Sequence, residues 1–318
     1  MIKPIEGSWS KGETLIPYSP DAVLDIVLAT GGLRPIQKRY DSVTTTENEV
    51  TTIKGKLGEA YPKVFSSELK KRGRYFPLPI PPQTDTQIRE QIVGDAPMSL
   101  KDEIRFVKAI GLKDGERVLD VGAGFGRTSI LLAEQANNIH VLSIDVDEAK
   151  VELLKSVLPK YRFNDGELGT KKITAVVGNA TDLHQEIPSE EKFDVVVIKD
   201  IIGLLGIADL TIGQNEKGRC VALADNLRIF ALKVKPVLKE GGRVVIWDGD
   251  LTTQNLLDTL EVGMYLEGFK EEESPSLIKF QLGKPPQDVK ASFGIFFYEP
   301  NDEFLRSLRR VYRLKPIF

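Results

Sequence analysis

The stretch Val118-Leu-Asp-Val-Gly-Ala-Gly-Phe-Gly126 constrains this chain more than any other. An apolar, β-branched run carries an acid, Asp120, and three alternating glycines follow at Gly122, Gly124 and Gly126. Residues without a Cβ allow a tight turn and let a ligand lie directly on the main chain. The residues after the glycines, 127–134, read as a helix. Strand, glycine turn and helix in this order is how a first β-strand meets a nucleotide-like ligand at a helix N-terminus. The acid just ahead of the glycines narrows the choice of ligand. A pyrophosphate seeks helix-terminal amides and no nearby anion, so Asp120 weighs against a nicotinamide dinucleotide.

The pattern around this motif predicts an α/β domain. Ser99 can cap a helix whose apolar positions Leu100, Ile104, Val107 and Ile110 recur at helical spacing, with Gly111 as its stop. Strand-like runs cover residues 117–121, 140–144, 173–177, 193–198 and 243–247. Helical runs lie between them, at 148–158 and in a segment marked by Leu223, Leu227, Phe230 and Val234 that ends at Pro236. Gly241-Gly242 is expected to turn the chain into the 243–247 strand. The strands are apolar on both faces, as a parallel sheet covered by helices requires. Strands alternating with helices imply a doubly wound fold. Residues 251–264 read as a further helix, and the β-rich runs 277–282 and 292–298 as a closing pair of strands.

The first ~95 residues differ in kind. Ser19-Pro20 starts a short apolar helix over 21–29, a polar stretch spans 41–49, and Phe76-Pro-Leu-Pro-Ile-Pro-Pro82 favours an extended connector. The content of Ile, Leu, Val and aromatics is too high for plain disorder, so residues 1–95 are expected to be an extension packed on a main domain of residues 96–318.

Four features downstream fall in order with the opening motif. Asp145 closes the second strand about 20 residues past the glycines, where a carboxylate can accept from two ribose hydroxyls. Gly178-Asn-Ala-Thr-Asp182 follows the third strand, Lys199-Asp200 ends the fourth, and Val237-Leu-Lys-Glu-Gly-Gly-Arg-Val-Val-Ile246 leads into the fifth. Together with the (D/E)-x-G-x-G-x-G form of the glycine loop, the set resembles class I S-adenosylmethionine (SAM)-dependent methyltransferases. That resemblance implies a doubly wound, mostly parallel seven-stranded sheet with an antiparallel C-terminal hairpin, plus the N-terminal extension. It implies SAM as cofactor and S-adenosylhomocysteine as product. Asp120 would hold the methionine end, backed by Gly122, Ala123, Gly124 and Gly126. Asp145, with Val146 beside it, would take the ribose. Asn179, where the family more often has Asp, and Ala180 would meet the adenine, and Asp200 would border the site. Residues 1–95 would act as a substrate lid or an oligomerisation region, and a homodimer is compatible with that.

The acceptor is less legible. SAM is a good electrophile, so positioning and at most one base are needed. Asp200 and Asp248 stand at carboxyl ends of strands, where active sites of open α/β sheets lie, and either could act as base or orient an amine. Lys199 could pair with Asp200 or a substrate acid, and His184 could serve as base. The (N/D)-P-P-(Y/F) signature of many amino-directed enzymes is absent after the fourth strand. A single cysteine and two histidines leave no cysteine-rich zinc site, and no metal is expected. The net charge of −3 gives no global pull toward nucleic acid or anionic membrane, although 70–75 and 305–313 are locally basic. No apolar run reaches membrane-span length and no signal-peptide core is present, so a cytoplasmic location is expected. The expected activity is methylation of a small molecule at oxygen or nitrogen, in the manner of specialised metabolism. The competing readings are methylation of RNA or protein, and a SAM-binding sensor without chemistry.

Overall fold

The computed structural model describes residues 16–17, 42–70, 83–94, 98–180, 183–199, 215–248, 269–282, 287–298 and 314–315, with Leu256, Thr259, Leu260, Gly263 and Met264 besides. Local chemistry places the early helices. Helix α1 (Glu47–Ala60) starts at Thr46, whose Oγ1 accepts from Glu49 N at 3.2 Å. A one-turn helix, α2 (Ser67–Lys70), follows. Helix α3 (Asp85–Val93) opens with a reciprocal Thr84–Gln87 capping box. Helix α4 (Leu100–Ile110) is capped by Ser99, which accepts from Asp102 N at 3.0 Å, and ends at Gly111 in the left-handed region.

Then strands and helices alternate: β1 (Arg117–Val121), α5 (Arg127–Glu134), β2 (His140–Asp145), α6 (Glu148–Val157), the one-turn α7 (Gly169–Lys172), β3 (Ile173–Val177), the one-turn α8 (Leu183–Glu186), β4 (Phe193–Lys199), α9 (Glu216–Val234) and β5 (Leu238–Asp248). Two longer extended runs follow, β6 (Phe269–Leu282) and β7 (Gln287–Tyr298). A separate two-residue parallel pair joins Ile16–Pro17 to Leu314–Lys315.

Strands β1 to β5 form a parallel sheet in the order β3-β2-β1-β4-β5. The fold is therefore Rossmann-like α/β. Chain order reverses between β1 and β4, and the carboxyl ends of those strands border the crevice where such sheets take ligands. Both faces are covered, as the two-sided apolar strands require. One face packs Val118, Val141, Val195, Val197, Val245 and Trp247 under α4, α5 and α6. The other packs Leu119, Val121, Ile144, Val196, Ile198, Val244 and Ile246 against α9. Trp247 meets Phe106 of α4 edge-on, with ring centroids 5.3 Å apart. At the amino ends of the strands, Arg243 reaches both Glu116 oxygens at 2.9 Å and Lys239 bridges to Asp194 at 2.7 Å.

One expectation is corrected. Strand β5 begins at Leu238, so Gly241-Gly242 lies within it; the register against β4 shifts between Phe193 and Val195. The glycines make a tight excursion there, with Gly241 at φ 72° and the Gly242 Cα so close that a Cβ would sit 2.8 Å from Lys239 O. The polar stretch 41–49, read from sequence only as polar, leads into α1. Its inner side buries Ile53, Leu57 and Ala60. It is tied to α4 by Lys101–Glu47 and Lys108–Glu49 bridges, both at 2.6 Å, and the residues ahead of it by Arg105 Nε donating to Val43 O at 3.0 Å. Exposed bridges of this kind contribute little; the apolar contacts hold the helix. The expected helix over 21–29, the 76–82 connector and most of the 251–264 helix lie outside the described residues.

Candidate active site

Strand β1 hands the chain to Gly122, whose N–H and that of Ala123 both donate to Ile144 O on β2, at 2.8 and 3.0 Å. The turn closes when Gly126 N donates to Ala123 O at 2.9 Å, and α5 starts at Arg127. Gly124 and Gly126 have different reasons to lack a side chain. A Cβ on Gly126 would press within 2.4 Å of Leu154 Cδ1, so that position serves the packing of the turn on α6. A Cβ on Gly124, at φ 56°, would meet nothing within 4 Å. Gly124 thus opens onto free space above the turn, where a ligand can touch backbone.

Asp145 at the end of β2 is 3% exposed. Its Oδ2 accepts from Gly124 N at 2.7 Å and its Oδ1 from Asp147 N at 2.8 Å. The ribose acid expected from the sequence is therefore also a clasp on the glycine turn. Each oxygen keeps a further lone pair for a ligand hydroxyl. Val146, the next residue, is 53% exposed, an apolar side chain left at the crevice edge. Gly178 N donates to Asp145 O at 3.0 Å and brings the β3 turn alongside, with Asn179 exposed and Ala180 half-buried.

Beneath the turn lies a buried charge cluster. Asp120 is 1% exposed and accepts from Ser129 Oγ on α5 at 2.6 Å. Burial pushes its carboxyl up to about 7; the Ser129 hydroxyl and then Lys199 work against the rise, and Glu103 and Asp145 add to it. Glu103 comes from α4 and is fully buried. It pairs with the Arg127 guanidinium, accepts from Thr128 Oγ1, and has Lys199 Nζ 3.8 Å from Oε1. Burial alone would raise the Glu103 carboxyl, but Arg127, then Lys199 and Thr128, hold it below the usual carboxylate range. Arg127 also donates to Gly94 O at 3.1 Å and Met98 O at 2.9 Å. From α1, Tyr61 OH donates to Phe125 O at 2.5 Å.

Glu103, Arg127 and Ser129 are absent from the residues expected from sequence. Glu103 left a trace, since it sits beside Ile104 on the buried stripe of a helix with a clear apolar period. Arg127 left another, as a charge directly after the last glycine. The sequence-expected acceptor residues are only partly gathered. Lys199 ends β4 on the Asp120 face, drawn toward Glu103 with its side chain 15% exposed. Asp248 ends β5 and is 1% exposed; its neighbour Trp247 is the register partner of Lys199, so the two strand ends lie side by side. The backbone of His184 lies in α8, while its side chain and Asp200 lie outside the described residues. Among the described residues no helix is long and apolar enough to cross a membrane.

Comparison with known proteins bears on this arrangement. A family profile described as a methyltransferase domain matches residues 112–277, more than half of the chain. The ribosomal RNA small subunit methyltransferase G of Lachnoclostridium phytofermentans is 27% identical over 117 residues, 37% of this chain and 46% of that protein. The protein of the same name from Pelotomaculum thermopropionicum is 26% identical over 132 residues, 41% of this chain and 52% of its own length. The chain thus spans about half the length of the curated relatives it matches. Among solved structures, a TehB-like SAM-dependent methyltransferase from Corynebacterium glutamicum superposes with a TM-score of 0.39 at 22% identity, covering 62% of this chain and 87% of that one. With the family profile covering the strands and turns that build the crevice, the chain belongs to the class I SAM-dependent methyltransferases, with SAM as its methyl donor.

Proposed function

We propose that this methyltransferase acts on a small-molecule acceptor at oxygen or nitrogen. Gly124 carries the cofactor half of the reading: it opens the turn to a ligand while its N–H is held by Asp145. Bound SAM supplies an activated methyl on a sulfonium. Asp120 would present its carboxylate toward the methionine ammonium, Asp145 would accept from the ribose hydroxyls, and Asn179 with Ala180 would meet the adenine edge. Val146 would give the adenosine an apolar wall. The acceptor would approach over the carboxyl ends of β4 and β5, where Lys199 and Asp248 orient it and Asp248 or Asp200 receives its proton. His184 is a second candidate base. Residues 1–95 would cover the acceptor as a lid. The sheet is read as seven-stranded, supported by antiparallel pairing of β7 on β5 and of β6 on β7.

A small acceptor is favoured by the charge around the turn. Asp145 and Asp147 stand beside it, and Lys150, whose Nζ lies 5.4 Å from the Phe125 ring centroid, is paired with Asp147 at 3.6 Å. A phosphate backbone needs cations to spare. A second reading, RNA as acceptor, is favoured by relatives named for ribosomal RNA methylation, and the negative net charge is too blunt a measure to set it aside.

The test is methyl-labelled SAM incubated with the protein and, separately, with a metabolite extract and total RNA at about 50 and 200 mM salt. Label in the low-mass fraction at both salts is expected. Label in RNA, weakening steeply with salt, would replace this reading with the second. Binding without release of S-adenosylhomocysteine in either pool would leave a sensor. In calorimetric titration Asp145→Ala should weaken SAM binding by roughly 1–3 kcal/mol, the cost of unpaired hydroxyls and a loosened turn; unchanged affinity would remove Asp145 from the site.

A further inference from the structure

Hydrogen bonds run without a break from the N-terminal helix to the ribose acid. Tyr61, at the C-terminal end of α1, is 2% exposed and donates to Phe125 O at 2.5 Å. A peptide is planar, so pinning that carbonyl also fixes the N–H of Gly126 on its other side. That N–H closes the turn on Ala123 O at 2.9 Å. Within the turn so closed, Gly124 N donates to Asp145 Oδ2 at 2.7 Å. Tyr61 is itself held on both sides. Its N–H donates to Leu57 O at 3.0 Å, Arg89 from α3 donates to Pro62 O at 2.9 Å, and Phe65 N donates to Asp85 Oδ1 at 2.8 Å. Burial, only partly offset by Arg127, pushes the phenol well above its ordinary value, so the hydroxyl remains a donor at any physiological pH.

We propose that Tyr61 is a positioning residue for the cofactor site: its hydroxyl sets the Phe125–Gly126 peptide and, through the turn, the orientation of the Asp145 carboxylate. The inference rests on the cofactor reading of this loop and adds a role for residues upstream of the methyltransferase core. The upstream segment is then a brace under the glycine turn, in addition to any covering of the acceptor. Glycines gain freedom from lacking a Cβ, and three of them in five residues need an external constraint to hold one shape. Tyr61 supplies it through Phe125 O.

The experiment is calorimetric titration of the full chain with S-adenosylhomocysteine, in wild type, Tyr61→Phe and Ile53→Val. Tyr61→Phe keeps the buried ring and removes only the donor; its Kd is expected to rise about tenfold. Ile53→Val trims the core of the same helix without touching the turn, so it should lower the melting temperature and leave Kd within about twofold of wild type. A Tyr61→Phe affinity within about twofold of wild type would overturn the inference. So would an equal loss in Ile53→Val at matched melting temperature, since the effect would then be general destabilisation. If wild type took up no S-adenosylhomocysteine, the cofactor reading of the loop would fail first, and the two failures are told apart by that control.

Discussion

Replacing Asp120 by Asn should strengthen the empty protein at alkaline pH while weakening its hold on the cofactor. In the folded chain burial lifts this carboxyl from 3.8 to about 7. The gap of roughly three units is worth about 4 kcal/mol, at about 1.4 kcal/mol per unit. The sign follows from which form the fold prefers. A raised folded value means the native state favours the protonated acid, so this contribution is complete below pH 3.8 and is lost as pH rises through about 7. Asn cannot ionise and keeps an oxygen to accept from Ser129. Glu103, held below the usual carboxylate range, is already charged across the upper part of this window and does not blur the comparison. The stability of Asp120→Asn relative to wild type should therefore climb by about 3 kcal/mol between pH 5 and pH 8, the part of the total that falls above pH 5. Urea unfolding of both cofactor-free proteins at the two pH values measures it. A difference that stays constant to about 0.5 kcal/mol would refute the reasoning, because Asp120 would then ionise in the fold as it does in the unfolded chain. The same ionisation should make wild-type SAM binding tighten as pH rises through about 7, with Asp120→Asn flat.

Glu103→Gln should cost about 3–5 kcal/mol, because it leaves the Arg127 guanidinium buried without its anion; a melting temperature within a degree or two of wild type would show that water or Lys199 has already relaxed the pair. Gly126→Ala should destabilise by roughly 1–3 kcal/mol, since its methyl collides with Leu154. Gly124→Ala should lose only the roughly 1–2 kcal/mol of left-handed backbone strain yet weaken SAM binding, because its methyl enters the ligand's space. Equal stability loss with unaltered binding in both alanine variants would place the cofactor elsewhere.

The core of the fold was legible because it is written in local patterns. The two-sided apolar strands, the Ser99 cap and the glycines after Asp120 each impose one geometry on a few consecutive residues, and they fall where the sequence places them. Helix α1 was not, although its capping signal Thr46-Glu-Asn-Glu49 is present. Its polar outer side, its weak apolar period and the run of threonines argue against a helix until α3 and α4 cover its inner side. The same limit hid half of the site. Asp120 and Asp145 announce themselves by position on strands. Glu103 and Ser129 matter only through partners 25 and 9 residues away in sequence, and such partners leave no period to read.

The Arg243–Glu116 and Lys239–Asp194 bridges occupy the amino ends of the strands, while the glycine turn, Asp145, Lys199 and Asp248 occupy the carboxyl ends. The molecule is thus polarised into a foundation and a workbench. Substitutions that tighten the foundation, such as better ion-pair geometry around Glu116, can harden the protein without altering what it methylates. Drift in acceptor preference can proceed at the other edge on a scaffold whose cohesion is secured elsewhere. For an engineer this separates two tasks that are entangled in many enzymes: stability would be sought at one end of the sheet, and new acceptors at the other.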